Sequence, residues 1–152
     1  MIDRLKTVMQ KLTQTDPSTQ LSVDEIKMAA VALLVEVMMA DNQIDENEKQ
    51  QLLKSTMSLL QLTREESEEL IDRAITKHKE LVSLYDLTRV INLKFEQARK
   101  LELLDHMWRI AYSDCQWDKY EEHIIRKVAD LLYISHKDFV HARVKAQELL
   151  SG

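Results

Sequence analysis

MAAVALLVEVMMADNQIDENE, residues 28–48, decides the fold, because the same order of features returns as LELLDHMWRIAYSDCQWDKYE at residues 101–121. In each, an apolar run meets an aspartate, crosses a short turn and reopens as an acidic helix start. Asp41-Asn-Gln-Ile-Asp45-Glu-Asn-Glu48 and Asp114-Cys-Gln-Trp-Asp118-Lys-Tyr-Glu121 share the pattern D-x-Q-[IW]-D-x-x-E at a spacing of 114 − 41 = 73 residues. The segments that follow also correspond: Leu59-Leu60-Gln61-Leu62-Thr63 lines up with Leu131-Leu132-Tyr133-Ile134-Ser135 at a spacing of 72, so one residue is gained or lost in the helix between. This is the signature of an internal duplication of a buried helix, an acidic turn, an amphipathic helix and a following helix.

Outward from these stretches the chain reads as helices throughout. It holds one glycine, Gly152, and one proline, Pro17, so hairpin turns and glycine-rich phosphate loops have almost no raw material. Ser22 with Glu25, Asp45 with Glu48, Thr63 with Glu66, Asp118 with Glu121 and Ser135 with Asp138 each open an apolar-periodic run in the manner of a capping box, where the first side chain accepts a backbone N–H of the new helix and the acid reaches back. The spacing predicts helices over 2–12, 23–40, 46–60, 64–80, 84–93, 97–113, 119–133 and 136–149. The runs 23–40 and 101–112 are apolar nearly all round, as central helices are. Ile2, Leu5, Val8, Met9 and Leu12 form an amphipathic N-terminal arm, and polar residues 13–20 link it to the body. The expected organisation is an arm and linker over 1–21 and one helical domain over 22–150. Docking of the arm on the body or on a partner is expected ahead of membrane attachment, since so short a helix offers little apolar area.

At 152 residues the chain is long enough for one sizeable core without staples. Its single cysteine, Cys115, excludes an intramolecular disulfide and a Cys-based zinc site. A net charge of −5 disfavours nucleic acid and anionic membranes, which call for concentrated Lys and Arg. The basic residues Lys137, Arg143 and Lys145 are too scattered to make a nucleic-acid face. The longest apolar run, Met28 to Ala40, is too short to cross a bilayer and is interrupted by Glu36. The first residues carry charges inside their apolar pattern and so lack the core of a secretory signal. A cytoplasmic location is expected.

With the duplicated turns in hand, the chain resembles the TerB family, whose pattern is a buried helix ending in Ala-Asp-Gly, a short turn and an acidic helix start. The matching residues are Ala40-Asp41-Asn42 and Ser113-Asp114-Cys115. The second half carries more of the likeness, in Leu84 to Arg89, Met107 to Tyr112, Asp118 to His123, Arg126 to Asp130 and Ser135-His136. Coverage is roughly residues 22–146. The resemblance implies an all-α fold of about seven to eight helices with two pseudo-symmetric helical hairpins. It also implies an association with tellurite and other chemical stress in bacteria, a divalent-metal role for the acidic residues, and no known reaction. The chain departs from the family where glycine follows the aspartate. Asn42 tolerates positive φ, whereas Cys115 adopts it at a cost of about 1–2 kcal/mol, so the second turn is expected to be reshaped.

Asp41, Asp45, Glu48, Asp114, Asp118 and Glu121 are the candidate metal ligands, hard oxygen donors of the kind that Ca2+, Mg2+ or Mn2+ takes. Capping is a sufficient account of Asp45 and Asp118, and box partnership of Glu48 and Glu121. Asp41 and Asp114 stand beyond helix C-termini, at the unfavourable end of the dipole, and call for another partner. An EF-hand is excluded: loop position six is Glu46 or Lys119 where glycine is needed, and position twelve is Leu52 or Ile125 where glutamate is needed. His78, His106, His123, His136 and His141 form no zinc-hydrolase pattern. His106 is expected in the core and His123 at the surface. Cys115 has no adjacent base and reads as an unreactive thiol. Trp108 is expected in the core, and Trp117 is expected either to plug its hairpin as Ile44 plugs the first or to face a partner. Glu122 with Arg126 reads as ordinary i, i+4 support.

The expected function is therefore that of a non-enzymatic, TerB-like stress-response protein that binds a divalent cation, or a cation-dependent protein partner, through its duplicated acidic turns. Protein partners are expected, in a stress-response complex whose membrane association would come through the partner. The rival is a helical interaction scaffold without metal. A carboxylate hydrolase ranks last, because no nucleophile, base and oxyanion donors can be named together.

Overall fold

A computed structural model describes residues 21–80, 83–114 and 118–151. The predicted arm helix over 2–12, the thiol of Cys115 and the indole of Trp117 lie outside the described residues. Seven helices follow in order among those described: α1 Val23–Met38, α2 Glu46–Leu60, α3 Arg64–Lys79, α4 Leu84–Lys94, α5 Gln97–Ala111, α6 Lys119–Leu131 and α7 His136–Ser151. The fold is all-α, as the periodicity required.

The starts follow from hydroxyl and carboxylate caps. Ser22 Oγ accepts from the Glu25 N–H at 3.1 Å, and Ser135 Oγ from the Asp138 N–H at 3.1 Å. Thr63 and Glu66 close a reciprocal box, at 3.2 Å and 3.0 Å. Ser83 caps α4 in the same way, accepting from the Asp86 N–H at 3.2 Å. The ends obey a second rule. Without glycine, the chain places Asn42, Gln61 and Tyr133 at positive φ, 61°, 55° and 59°. After Gln61 the Leu62 N–H reaches the Met57 carbonyl at 3.2 Å, and after Tyr133 the Ile134 N–H reaches the Ala129 carbonyl at 2.9 Å. Both are six-to-one closures of the Schellman kind. Their left-handed residues stand 133 − 61 = 72 apart, the spacing already visible in the sequence.

Helix α1 lies at the centre, packed against α2, α3, α4, α5 and α6. Its Val31, Leu33, Leu34, Val35, Val37 and Met38 expose no surface. The second central helix, α5, contributes Leu103, Leu104, Met107, Trp108 and Ile110, also fully buried, and packs on α1, α2, α6 and α7. From Met28 to Val35 α1 lacks a polar face because neighbours surround it, whereas α5 keeps Glu102, Asp105 and Arg109 along a partly exposed edge. Trp108 stacks on Tyr112 at 5.6 Å between centroids and meets Phe139 of α7 at 5.2 Å. Arg143 ties α7 to this cluster: its Nε donates to the Tyr112 hydroxyl at 3.1 Å and its Nη1 lies 2.9 Å from Glu122. Glu122 thus reaches beyond its i, i+4 partner Arg126, 3.9 Å away, to a second helix. No helix among the described residues is long and apolar enough to cross a membrane.

Candidate metal centre

Both acidic turns leave central helices and enter amphipathic ones, α1 into α2 and α5 into α6, so packing of α1 on α5 brings the turns to one place. At the first turn, Asp41 Oδ1 accepts the Gln43 N–H at 3.0 Å while Asn42 takes the left-handed conformation. This Asx-type closure explains how an aspartate tolerates its position past a helix end. Asp45 then caps α2, its Oδ1 accepting from Asn47 and Glu48 at 2.8 Å and 3.2 Å. Asp118 caps α6 identically, accepting from Tyr120 and Glu121 at 2.7 Å and 3.1 Å. These caps use Oδ1 and do not involve Oδ2, so a carboxylate can cap a helix and ligate a cation at once.

The acids three residues further on behave differently from the box partners the sequence suggested. Glu48 and Glu121 are 1% and 2% exposed, and each turns inward to hydrogen-bond to the other. Among the described residues the reciprocal box is completed at Thr63 and Glu66, in a solvated turn. At Glu48 and Glu121 the helix phase points the side chain to the core side, where another carboxyl waits. Burial above all raises the pKa of Glu48 to about 7, against the lowering effect of the bond from Glu121, with the charges of Asp114, Asp41 and Asp45 adding to the rise. Burial likewise leads at Glu121, which is held at about 11, followed by its bond to Glu48 and by the charges of Glu48, Asp118 and Asp41. Glu121 therefore keeps its proton and donates it to Glu48. Glu48 Oε1 and Glu121 Oε2 are buried, and beyond the bond between the two acids no partner is found for them among the described residues.

Asp41, Asp118 and Glu121 each offer a carboxylate oxygen, and the three lie within 4.8 Å of one another. One comes from the first turn and two from the second, so the group spans the duplication. Glu48 supports it through Glu121, while Asp45 and Asp114 contribute charge around Glu48 and stand outside the close group. Two helix N-termini, those of α2 and α6, direct their positive ends at this concentration of acid, which eases its assembly. An all-oxygen set of this kind suits a hard divalent cation. The buried carboxyl of Glu121 fits that account, since a buried carboxylate is costly to ionise and a cation beside it would offset the charge.

Sequence comparison bears on the same region. Residues 27–144 match the family described as "Tellurite resistance protein TerB". The chain belongs to the TerB family. No curated protein matches it. Among solved structures, a protein of unknown function from Porphyromonas gingivalis W83 is similar, with a TM-score of 0.62 and 14% identity over 84% of this chain and 97% of that one. At that identity the likeness is one of fold. The TerB match covers both acidic turns and everything from the second turn of α1 to the middle of α7.

Other expectations divide. His106 is 8% exposed, its Nδ1 lies 2.8 Å from Ser55 Oγ, and burial, then Arg109, lowers its pKa to about 4, so it is a neutral core residue. His123 is exposed and outside the carboxylate group. Ile44 corrects the sequence reading: it is 57% exposed and plugs nothing. Asp45, in extended backbone, takes the inward side of the turn, and neighbours along an extended chain project to opposite sides. One pair escaped sequence reasoning. Glu36 meets His78 of α3 at 2.7 Å, and the signal was there in a lone acid within the apolar run from Met28 to Ala40.

Proposed function

We propose that this TerB-family protein binds one hard divalent cation, Ca2+, Mg2+ or Mn2+, between its two acidic turns, and acts without catalysis in a stress response of the tellurite-resistance type. Asp41, Asp118 and Glu121 are its protein ligands, and Glu48 is the residue that holds Glu121 in place. The observation that carries this reading is the buried pair Glu48 and Glu121, with the carboxylates of Asp41 and Asp118 brought up beside Glu121. Caps and turns explain Asp41, Asp45 and Asp118 without a metal; nothing of that sort explains two acids buried face to face at the cost that burial imposes. Loss of the Glu121 proton on binding exchanges a shared proton for a cation. Occupancy would then link α1, α5 and α6, the elements that surround the turns, and so set the shape offered to a protein partner. A cytoplasmic location and a partner-mediated complex belong to this proposal.

The metal-free scaffold remains the second reading, favoured by the complete capping of Asp45 and Asp118. One experiment separates the two. Thermal unfolding is followed after chelator treatment and then with each cation, since a ligand that binds only the folded state raises stability with the logarithm of its excess over Kd. A rise of several degrees, lost in Asp41→Asn and in Glu121→Gln, supports the cation site. Unchanged melting with every ion leaves the scaffold.

A further inference from the structure

Away from the acidic turns, α1, α3 and α4 leave between them a groove of about 290 Å³. Its floor is apolar and half of it small: Met28, Ala29 and Ala32 of α1, Ala74 of α3, and Leu87 and Val90 of α4. Lining residues recur along α1 from Asp24 to Glu36, a run of about 18 Å at the helical rise. Small residues in a floor let another backbone come close, and a straight groove of this length matches a helix of about eleven residues. We infer that this groove is the docking site of the chain's own N-terminal arm, residues 2–12, whose Ile2, Leu5, Val8, Met9 and Leu12 stand at helical spacing.

Three observations select that occupant. The first is attachment: Ser22 caps α1, and Asp24 and Glu25 of that first turn already line the groove, so α1 begins at its edge. Residues 13–21 form a connector of up to about 30 Å when extended, enough to turn the arm back along α1. The second is charge. The groove carries Asp24, Glu25 and Asp86 against Arg73 and Lys77, with Glu36 and His78 paired to each other. The arm carries Arg4, Lys6 and Lys11 against Asp3, an excess of the opposite sign. The third is the contrast with the cleft between α2 and α3, where Lys49, Lys54 and Arg64 balance Glu46, Glu68 and Asp72, and which no residue of α1 lines. That cleft offers neither the attachment nor the excess.

Amide hydrogen exchange on the full chain tests the assignment, with two variants: Leu5→Glu with Met9→Glu in the arm, and Val90→Glu in the groove. In the unaltered chain, residues 2–12 are expected to exchange at least tenfold more slowly than in the arm variant. The arm variant should also speed exchange at Met28–Ala32 and Leu87–Val90 while the amides of α5 stay unchanged, and Val90→Glu should release the arm. If Val90→Glu fails to fold, the groove amides read in the arm variant carry the test, since the core cluster of the body is built from residues 26–146. Unprotected exchange of the arm in the unaltered chain overturns the proposal. So does protection insensitive to the arm charges, or protection that grows with protein concentration, which would assign the groove to a second copy.

Discussion

Glu121 of α6 hydrogen-bonds to Glu48 of α2, and both carboxyls are almost wholly removed from water. Two acids share one buried environment in the space between two helix starts. Several outcomes depend on this pair.

Glu48→Gln keeps a partner for Glu121 and removes one charge. In chelator-treated protein at pH 8 the variant should be more stable than the parent, by about 1–3 kcal/mol, since Glu48 no longer has to ionise in a buried site. The gain should vanish once a saturating cation is present, because the parent is then stabilised and the variant much less. Urea denaturation with and without the ion measures both. Equal stability of the two proteins without ion would contradict the buried, charged pair.

Stability against pH should reveal buried groups of opposing sign. The pKa of Glu48 rises on folding from 4.5 to about 7, so the stability of the protonated form is present below 4.5 and is lost as pH climbs through 7. That of His106 falls from 6.5 to about 4, so its contribution is present above 6.5 and is lost as pH drops through 4. Over the same window the two slopes oppose each other in the ion-free parent. Glu121, whose pKa rises from 4.5 to about 11, adds a second loss of stability with rising pH, so removing Glu48 in Glu48→Gln should make the net loss of stability between about 4.5 and 7 less steep than in the parent. Parallel pH curves would contradict the assignment.

Ser55 is fully buried and lies between Gln51, whose amide donates to its Oγ at 3.0 Å, and His106 Nδ1 at 2.8 Å. Ser55→Ala leaves a buried imidazole nitrogen and an amide without that partner. A loss of about 1–3 kcal/mol is expected, with the cation-induced shift retained. A loss under about 0.5 kcal/mol would mean that other groups or water replace the hydroxyl.

The carboxylates of the turns should separate by role. Asp45→Ala should cost about 1 kcal/mol as a lost cap and keep most of the cation response, whereas Asp118→Ala should lose both. Asp41→Asn should keep stability within about 0.5 kcal/mol and lose the cation response. Ile44→Lys, at an exposed position, should fall within about 0.5 kcal/mol of the parent. Melting curves of the four variants, each with and without ion, give the comparison.

Local sequence determined most of the helices, because their causes are local. Ser22, Thr63, Asp118 and Ser135 announce helix starts by the bonds they make two or three residues on, and the apolar periodicity that follows gives the buried face. Start positions and central helices were therefore legible, and the repeat spacing of 72 reappears in the left-handed residues Gln61 and Tyr133. Ser83 with Asp86 three residues on has the same Ser-x-x-Asp form as Ser135 with Asp138, so the cap of α4 was equally present in the sequence although the sequence reading left it out. The six candidate carboxylates were all visible as residues.

Their ranking was decided by tertiary structure. Glu48 and Glu121 have the sequence form of box partners, and no local rule tells a glutamate that reaches back to its cap from one that turns into the core. Packing of α1 and α5 does so, by placing two helix starts against each other so that each acid finds the other before it finds its own backbone. The same long-range placement joins Asp41 to Asp118 and Glu121, residues more than seventy positions apart, and leaves Ile44 in solvent beside them. Backbone hydrogen bonds and helical phase act over three or four residues and can be read along the chain. Burial and the meeting of like charges depend on which surfaces come together, and only the folded chain contains that information.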